Sequence, residues 1–242
     1  MNFSENVRAA FRRGDSDAVV QVSQAEIIRA RAVGDAAGAV EALYALARVA
    51  LRADDLSEAR RLANDALEIA TRAGVRVLEE RPRHVLAAVA RMSGDFVLAR
   101  ELYEANIALN TDLGQLEIAN SELHNLAFTE LHLGNADRAR VLFDSVREQV
   151  FRGGYPDFVP YVCLAAARMA SLDENHERTA LLLGLTNSAF RKIGQVPDPD
   201  DAKELEVVRD IAVEALGEER FQIAHARGIT LDPRETLTST TF

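Results

Sequence analysis

Glycine occupies positions 34, 74, 114, 154 and 194, an unbroken spacing of 40 residues. Gly14, Gly94 and Gly134 lie half a period away, and Asp54 and Glu174 stand at the two remaining half-period positions. A turn residue therefore recurs every 20 residues from 14 to 194. The segments between are rich in Ala, Leu, Arg and Glu, which favour helix. Glycine suits a helix end because it tolerates the left-handed conformation found there. The spacing predicts helices of about four to five turns, each roughly 27 Å long. A fixed period of this kind means a solenoid whose units pack on their neighbours. Such arrays bind far more often than they catalyse, so the exposed face of the repeats is the place to look for function.

The turn positions set the expected boundaries. A short helix runs from about Ser4 to Arg13 and a longer one from Asp15 to Val33. Four helix pairs follow, over 35–53 with 55–73, 75–93 with 95–113, 115–133 with 135–153 and 155–173 with 175–193. The organisation is thus an N-terminal cap (1–34), four repeats (35–74, 75–114, 115–154 and 155–194, together 35–194) and a linker with closing helices (195–242). Pro82 should kink its helix, or make it begin near Arg81 after an irregular turn. Pro156 and Pro160 loosen the start of the fourth pair in the same way. Gln195 to Asp201 breaks the period as a turn-rich linker. Residues 201–216 and 218–227 read as helices, and Asp232-Pro233-Arg234-Glu235 as a helix start. Leu237 to Phe242 is expected to fray.

A 40-residue period fits either a long tetratricopeptide (TPR) unit or a HEAT/armadillo unit. In a TPR, a small residue of the first helix nests against an alanine twelve positions later. Ala47 with Ala59, Ala87 with Ala99 and Ala127 with Ala139 have that offset, and Ala167 with Thr179 completes the series. Leu62, Leu102, Leu142 and Leu182 recur at one phase and are expected to form a core column. The unit from Leu123-His124-Asn125-Leu126-Ala127 to Ala139-Arg140-Val141-Leu142-Phe143 resembles the TPR pattern most. The fold expected is all-α, a TPR-like superhelical solenoid of antiparallel helix pairs with a C-terminal helical cap. The segments Thr179 to Leu185, Phe190 to Gly194, Ala215 to Phe221 and Ala224 to Gly228 resemble the last repeat and closing helices of the TPR sensor regions in bacterial LuxR-type and SARP-type regulators and STAND ATPases. That resemblance implies a regulatory, bacterial protein, possessed here of neither a phosphate-binding Gly-rich loop with Lys-Ser/Thr nor a recognisable DNA-binding helix pair.

The formal charge is −10 and the pI about 5.1. An acidic surface argues against direct binding to nucleic acid or to anionic membrane. The start of the sequence has no basic region followed by an apolar run, and no stretch approaches the roughly 20 apolar residues of a membrane span. Cys163 is the one cysteine, so no internal disulfide can form. A cytoplasmic protein is expected, and the scarcity of lysine beside abundant alanine suits a GC-rich bacterial gene. The sequence leaves the oligomeric state open.

No catalytic constellation has convincing spacing, so no enzyme and no cofactor are expected. His124 and His132 are eight apart on one helix, whereas a zinc site wants ligands four apart or converging from several elements. Cys163 reads as a small buried hydrophobe. Glu79-Glu80 and Asp198 to Asp201 read as solvated carboxylates.

More informative is the face the first helices turn inward. In TPR arrays the first helices line the concave surface. Anchored on the alanine series, five columns face it: Glu41, Arg81, Ser121 and Tyr161; Tyr44, His84, His124 and Leu164; Arg48, Ala88, Phe128 and Arg168; Leu51, Arg91, Leu131 and Ser171; and Arg52, Met92, His132 and Leu172. Five of these positions are arginine and one is acidic, against about two and about three for even placement of the chain's arginines and acids. Asn125 adjoins them with a donor and an acceptor. One reading is that the arginines pair with acids on neighbouring helices. The other is a locally basic groove for a protein or peptide with acidic groups, because the guanidinium fork binds carboxylate bidentately. Tyr44, Phe128 and Tyr161 would add apolar contact. The pattern lacks the Lys/Asn clamp of chaperone-binding TPRs, since Tyr44 and Arg48 stand in those places. The function expected is a non-enzymatic scaffold or adaptor, or the stand-alone sensor part of a regulatory system. The alternative is a small-molecule or signalling-peptide receptor that changes conformation on binding.

Overall fold

The computed structural model describes residues 3–238, and among them there is no strand. Thirteen α-helices follow one another: α1 (Phe3–Arg12), α2 (Ser16–Val33), α3 (Ala36–Arg52), α4 (Leu56–Ala73), α5 (Glu80–Met92), α6 (Phe96–Asp112), α7 (Leu116–His132), α8 (Ala136–Gly153), α9 (Val159–Leu172), α10 (His176–Lys192), α11 (Pro199–Leu216), α12 (Glu218–Ile229) and α13 (Pro233–Thr238). Pro82 and Pro156 have the expected effect. A 3-10 turn over Arg76–Glu79 precedes α5, and another over Pro156–Phe158 precedes α9.

The helix ends follow from two adjacent residues. Every turn residue of the 20-residue series has positive φ, including the two that are not glycine, Asp54 at 59° and Glu174 at 56°. After most of them the next residue sends its N–H back to the carbonyl five positions earlier, as Asp55 does to Ala50 at 2.9 Å and Asn175 to Ala170 at 2.9 Å. That closes the preceding helix. The same residue opens the following one. Asp15, Asp35, Asp55, Asp95 and Asn175 each accept the backbone N–H three residues ahead. Such a cap contributes about 1 kcal/mol.

The eight residues of the twelve-offset series, Ala47, Ala59, Ala87, Ala99, Ala127, Ala139, Ala167 and Thr179, have no exposed surface. Small side chains at these points let helix axes approach closely. The leucine column is less uniform than expected: Leu62 and Leu182 are buried, whereas Leu102 and Leu142 are half-buried.

The chain divides into two compact units, residues 1–134 and 135–242. In the first, each helix from α1 to α7 packs on the next, and the first-helix neighbours α1 with α3 and α3 with α5 also touch. In the second, α8, α9 and α10 continue the pattern, and α11 and α12 close over α9 and α10. The architecture is an all-α helical-repeat solenoid. Two glycines set the closeness of the closing contact. A Cβ on Gly184 of α10 would stand 2.0 Å from the His225 carbonyl oxygen, and one on Gly228 of α12 would stand 1.8 Å from that of Leu181. The C-terminal end differs from expectation at Leu237, which lies in α13, is 2% exposed and so does not fray. The rest of that expectation, residues 239–242, lies outside the described residues.

Two outcomes follow. Gly184→Ala should destabilise the protein by about 1–3 kcal/mol through overpacking, although in an open helix the same change would stabilise by about 1 kcal/mol. Glu174→Gly should stabilise by about 0.5–1 kcal/mol, because a left-handed residue with a Cβ costs roughly 1–2 kcal/mol and glycine's added chain entropy returns part of that. Urea unfolding of both variants checks the two signs.

Candidate functional site

In the first unit, the inward faces of α3, α5 and α7 carry most of the residues singled out by sequence, and the structure gives each a neighbour. Arg48 lies 3.6 Å over the Phe11 ring of α1. Arg52 lies 3.8 Å over the same ring and donates to the Phe11 carbonyl at 3.2 Å. Tyr44 sits between two guanidinium groups, Arg48 at 5.5 Å and Arg81 at 5.2 Å from its ring centre. Arg81 forms an ion pair with Glu41. His84 Nδ1 is 2.8 Å from Glu122 Oε1. Further along the helices, Arg91 is buried, donates to Asn125 Oδ1 at 3.2 Å and faces the Phe128 ring at 5.6 Å. His124, also buried, meets Phe128 edge-on at 5.0 Å. His132 is exposed and stacks on Phe96 at 4.5 Å.

The second unit holds the other two. The buried Tyr161 hydroxyl donates to Asp198 Oδ2 at 3.0 Å and accepts from Gln195 Nε2 at 2.6 Å. Its ring packs against Phe158 and Phe190. Arg168 Nε stands 3.9 Å from Glu204 Oε2 of α11. The linker and α11 thus lie over both residues.

Two of the five arginines therefore meet carboxylates of their own chain, two lie on an aromatic ring and one bonds an amide. The physical cause is burial. A guanidinium withdrawn from water needs partners nearby, and the fold supplies them.

An open groove of about 670 Å³ remains in the first unit, where the N-terminal ends of α3, α5 and α7 come together beside α1 and α2. Six charged side chains line it: Glu26, Arg29, Asp35, Glu41, Glu80 and Arg81. Phe3, Val40, Val77, Leu78 and Ile118 give it apolar wall, and Gln115 adds an amide. Arg29 bridges two acids, donating to Glu26 at 2.9 and 2.5 Å and to Asp35 as well. This triad lies across the first turn of α3 at Gly38, where any Cβ would come within 2.7 Å of all three side chains.

Glu80, the first residue of α5, is 7% exposed. Its nearest cation is Arg81 Nε at 3.8 Å. Burial pushes its carboxyl up to about 7, an effect that the His84 charge opposes and Glu122 reinforces. Two further oxygens nearby are buried without a hydrogen bond, Gln115 Oε1 and Glu122 Oε2.

The sequence reading had pointed to Arg81 and Glu41 but not to Glu26, Arg29, Asp35, Glu80 or Gln115. Its columns were confined to the first helices, so α2 could not enter. Usable signals existed in the Glu26–Arg29 pair and in Glu80 and His84, which share a helix face at a spacing of four. Glu79 and Glu80, read as solvated, are both withdrawn from water: Glu79 is half-buried and pairs with Arg83, and Glu80 is buried. Cys163 is wholly buried, and burial pushes its thiol up. Among the described residues, no three His, Cys, Asp or Glu side chains come together so as to hold a metal ion, and no helix is long and apolar enough to cross a membrane.

No family model matches the sequence, and no curated protein matches it. Solved structures do. The chain is similar to BtubC (BKLC) from P. vanneervenii at 17% identity, over 93% of each chain, with a TM-score of 0.59. It is also similar to a Rap protein complexed with competence and sporulation factor, at 14% identity over 98% of this chain and 73% of that one, with a TM-score of 0.64. At such identities the likeness establishes the shared helical-repeat fold.

The Glu80 environment gives a signed expectation. Its carboxyl is raised above the roughly 4.3 of an unfolded chain, so between about pH 4.3 and 7 the folded protein binds the more protons. Stability contributed by this group therefore falls as pH rises through that window. Arg81, His84 and Glu122 are the charged groups that face it. Glu80→Gln should stabilise the protein by about 1–3 kcal/mol near pH 8, with the difference closing below about pH 4.5. Parallel urea titrations at the two pH values measure this, and a pH-independent difference would contradict the assignment.

Proposed function

We propose that this chain is a non-enzymatic protein- or peptide-binding scaffold whose ligand lies in the groove of the first unit. The groove itself carries the reading: it is open, about 670 Å³, with apolar wall and six charged side chains at the ends of three successive first helices. Polar groups set on rigid helices fix the register of an extended segment while apolar wall supplies contact. The Rap structure of the same fold is a complex with competence and sporulation factor, which supports a binding role for the fold here.

The partner carries charge of both signs. Its acidic groups meet Arg29 and Arg81, exchanging with the carboxylates those arginines hold in the free protein. The flanking carboxylates leave room for basic groups. The role is that of an adaptor, or of the stand-alone sensor part of a bacterial regulatory system in the cytoplasm, in line with the LuxR-type, SARP-type and STAND resemblance of the closing helices. A second reading, a small-molecule or signalling-peptide receptor that changes conformation, draws support from the groove volume, which falls in the range of about 300–1,000 Å³ typical of small-ligand sites.

Affinity selection tests the proposal. A mixed-sequence pentapeptide library and a panel of small metabolites are each passed over the protein, and retained species are identified by mass. Retention of peptides is expected, weakened at least tenfold by Val77→Arg, a change at a half-exposed position of the groove wall. Retained acidic peptides should also lose affinity with added salt, since exposed charge contacts are screened over about 8–10 Å. Retention of metabolites alone would favour the receptor reading. Peptide retention indifferent to Val77→Arg would overturn the placement.

A further inference from the structure

The base of the groove is short of hydrogen-bond donors. Arg29 is occupied by Glu26 and Asp35, and Arg81 by Glu41. Glu80, more than nine-tenths buried, lines the groove and has Arg81 Nε at 3.8 Å, beyond hydrogen-bonding reach. Gln115 Oε1, from the start of α7 on the opposite wall, is buried without a donor. Outside the lining, Glu122 holds His84 Nδ1 through Oε1, and its carboxyl is near enough to Glu80 for the two to repel. A buried acceptor left unpaired costs about 1–3 kcal/mol, and more when charged. A buried carboxyl and an unpaired buried amide oxygen in the lining of one groove suit a group that brings several N–H donors, positive charge and no acceptor of its own. Ammonium, with three donors, and guanidinium, with five, are the side-chain and terminal groups that meet this description.

We infer that the base of the groove at Glu80 is a subsite for an ammonium or guanidinium group of the ligand, with Gln115 Oε1 as its second acceptor. The inference rests on the peptide reading above and adds the chemistry of one ligand position. Acidic ligand groups then lie toward Arg29 and Arg81, and the basic group goes inward. Entry of the cation favours the ionised form of Glu80, so near pH 6 binding releases a proton. Arg81, His84 and Glu122 face the same carboxylate and set how far that release is complete.

Two measurements test this on the full chain. In the first, ethylammonium, ethylguanidinium and tetramethylammonium chlorides are titrated while backbone amide resonances of residues 77–81 and 115 are followed. Saturable shifts are expected with the two N–H donors and not with tetramethylammonium, which has the charge but no donor. The first two arms distinguish an amine from a guanidinium source. The shifts should become non-saturating in Glu80→Gln and be partly restored in Glu80→Asp. Because Glu80→Gln is expected to be the more stable protein, lost binding cannot be ascribed to unfolding. In the second measurement, the pentapeptides retained in affinity selection are compared between parent and Glu80→Gln. Enrichment of lysine, arginine or a free amino terminus in the parent, reduced at least tenfold in the variant, is expected. Calorimetry of a retained peptide near pH 6 should show a buffer-dependent heat from the released proton.

Equal shifts with tetramethylammonium, or retained peptides with no basic enrichment and no response to Glu80→Gln, would overturn the subsite while leaving the peptide reading intact. Saturable amine shifts with no peptide retained would support the subsite and sink the peptide reading.

Discussion

One left-handed residue followed at once by a helix cap governs this structure. Where it is complete, as at Asp54-Asp55, the pair reverses the chain in two residues, closing one helix through the carbonyl five positions back and opening the next through the backbone N–H three positions ahead. With so short a connection, successive helices are forced to lie antiparallel as neighbours. Repetition every 20 residues fixes helix length, and fixed length brings the N-terminal ends of alternate helices to the same side. The groove of the first unit is a consequence. Its lining comes from residues 35–41 at the start of α3, 77–81 at the start of α5 and 115–118 at the start of α7, together with α1 and α2. Asp35 and Glu80 sit at the N-cap of α3 and in the first turn of α5, where the positive end of the helix dipole favours carboxylates. The repeat geometry thus accounts for two of the four groove acids, Asp35 and Glu80, despite the arginines further along the same helices.

Those arginines show how a solenoid treats charge on its inner face. A guanidinium there can remain solvated, be met by the chain or await a ligand. Arg48 and Arg52 are met by Phe11 because α1 takes the place of a preceding first helix and lays its ring against them. Arg81 is met by Glu41, one repeat earlier in the same column. Cation–π contact and ion pairing contribute about 0.5–2 kcal/mol each at such half-buried places. That is small against the several kcal/mol of leaving a buried charge unmatched. The balance favours internal matching wherever geometry permits it.

Much of the fold was legible in the sequence because the information is local. A turn residue and a cap are properties of two neighbouring positions, so even Asp54 and Glu174 could be assigned to left-handed turns by their place in the series. The twelve-residue alanine offset is a pairwise property inside one repeat and was equally readable. Leu102 and Leu142 were harder, because how deeply a leucine is buried depends on what packs over its helix, not on its phase. Leu237 was misread for a related reason: terminal position suggests fraying, while its burial comes from elements distant in sequence. The charge balance of the groove was the least legible feature. It depends on Glu26 and Arg29 of α2, on Gln115 and on the depth of Glu80, none of which a column drawn through the first helices contains.

The two units treat equivalent inward positions differently, and the difference bears on what the groove can accept. In the second unit the linker and α11 cover Tyr161 and Arg168 and bring Asp198 to the tyrosine hydroxyl and Glu204 toward the guanidinium. Asp201 and Glu204, on the covering helix, are both buried. An acidic segment of the chain therefore occupies the face that the sequence pattern assigned to an acidic partner. In the first unit α1 covers Arg48 and Arg52 with an aromatic ring and leaves the N-terminal ends of α3 and α5 open. What is left open is the end at which carboxylates outnumber guanidinium groups, four to two. A helical-repeat face closed by its own chain wherever arginine dominates, and open where acid dominates, retains a demand for donors at the open end.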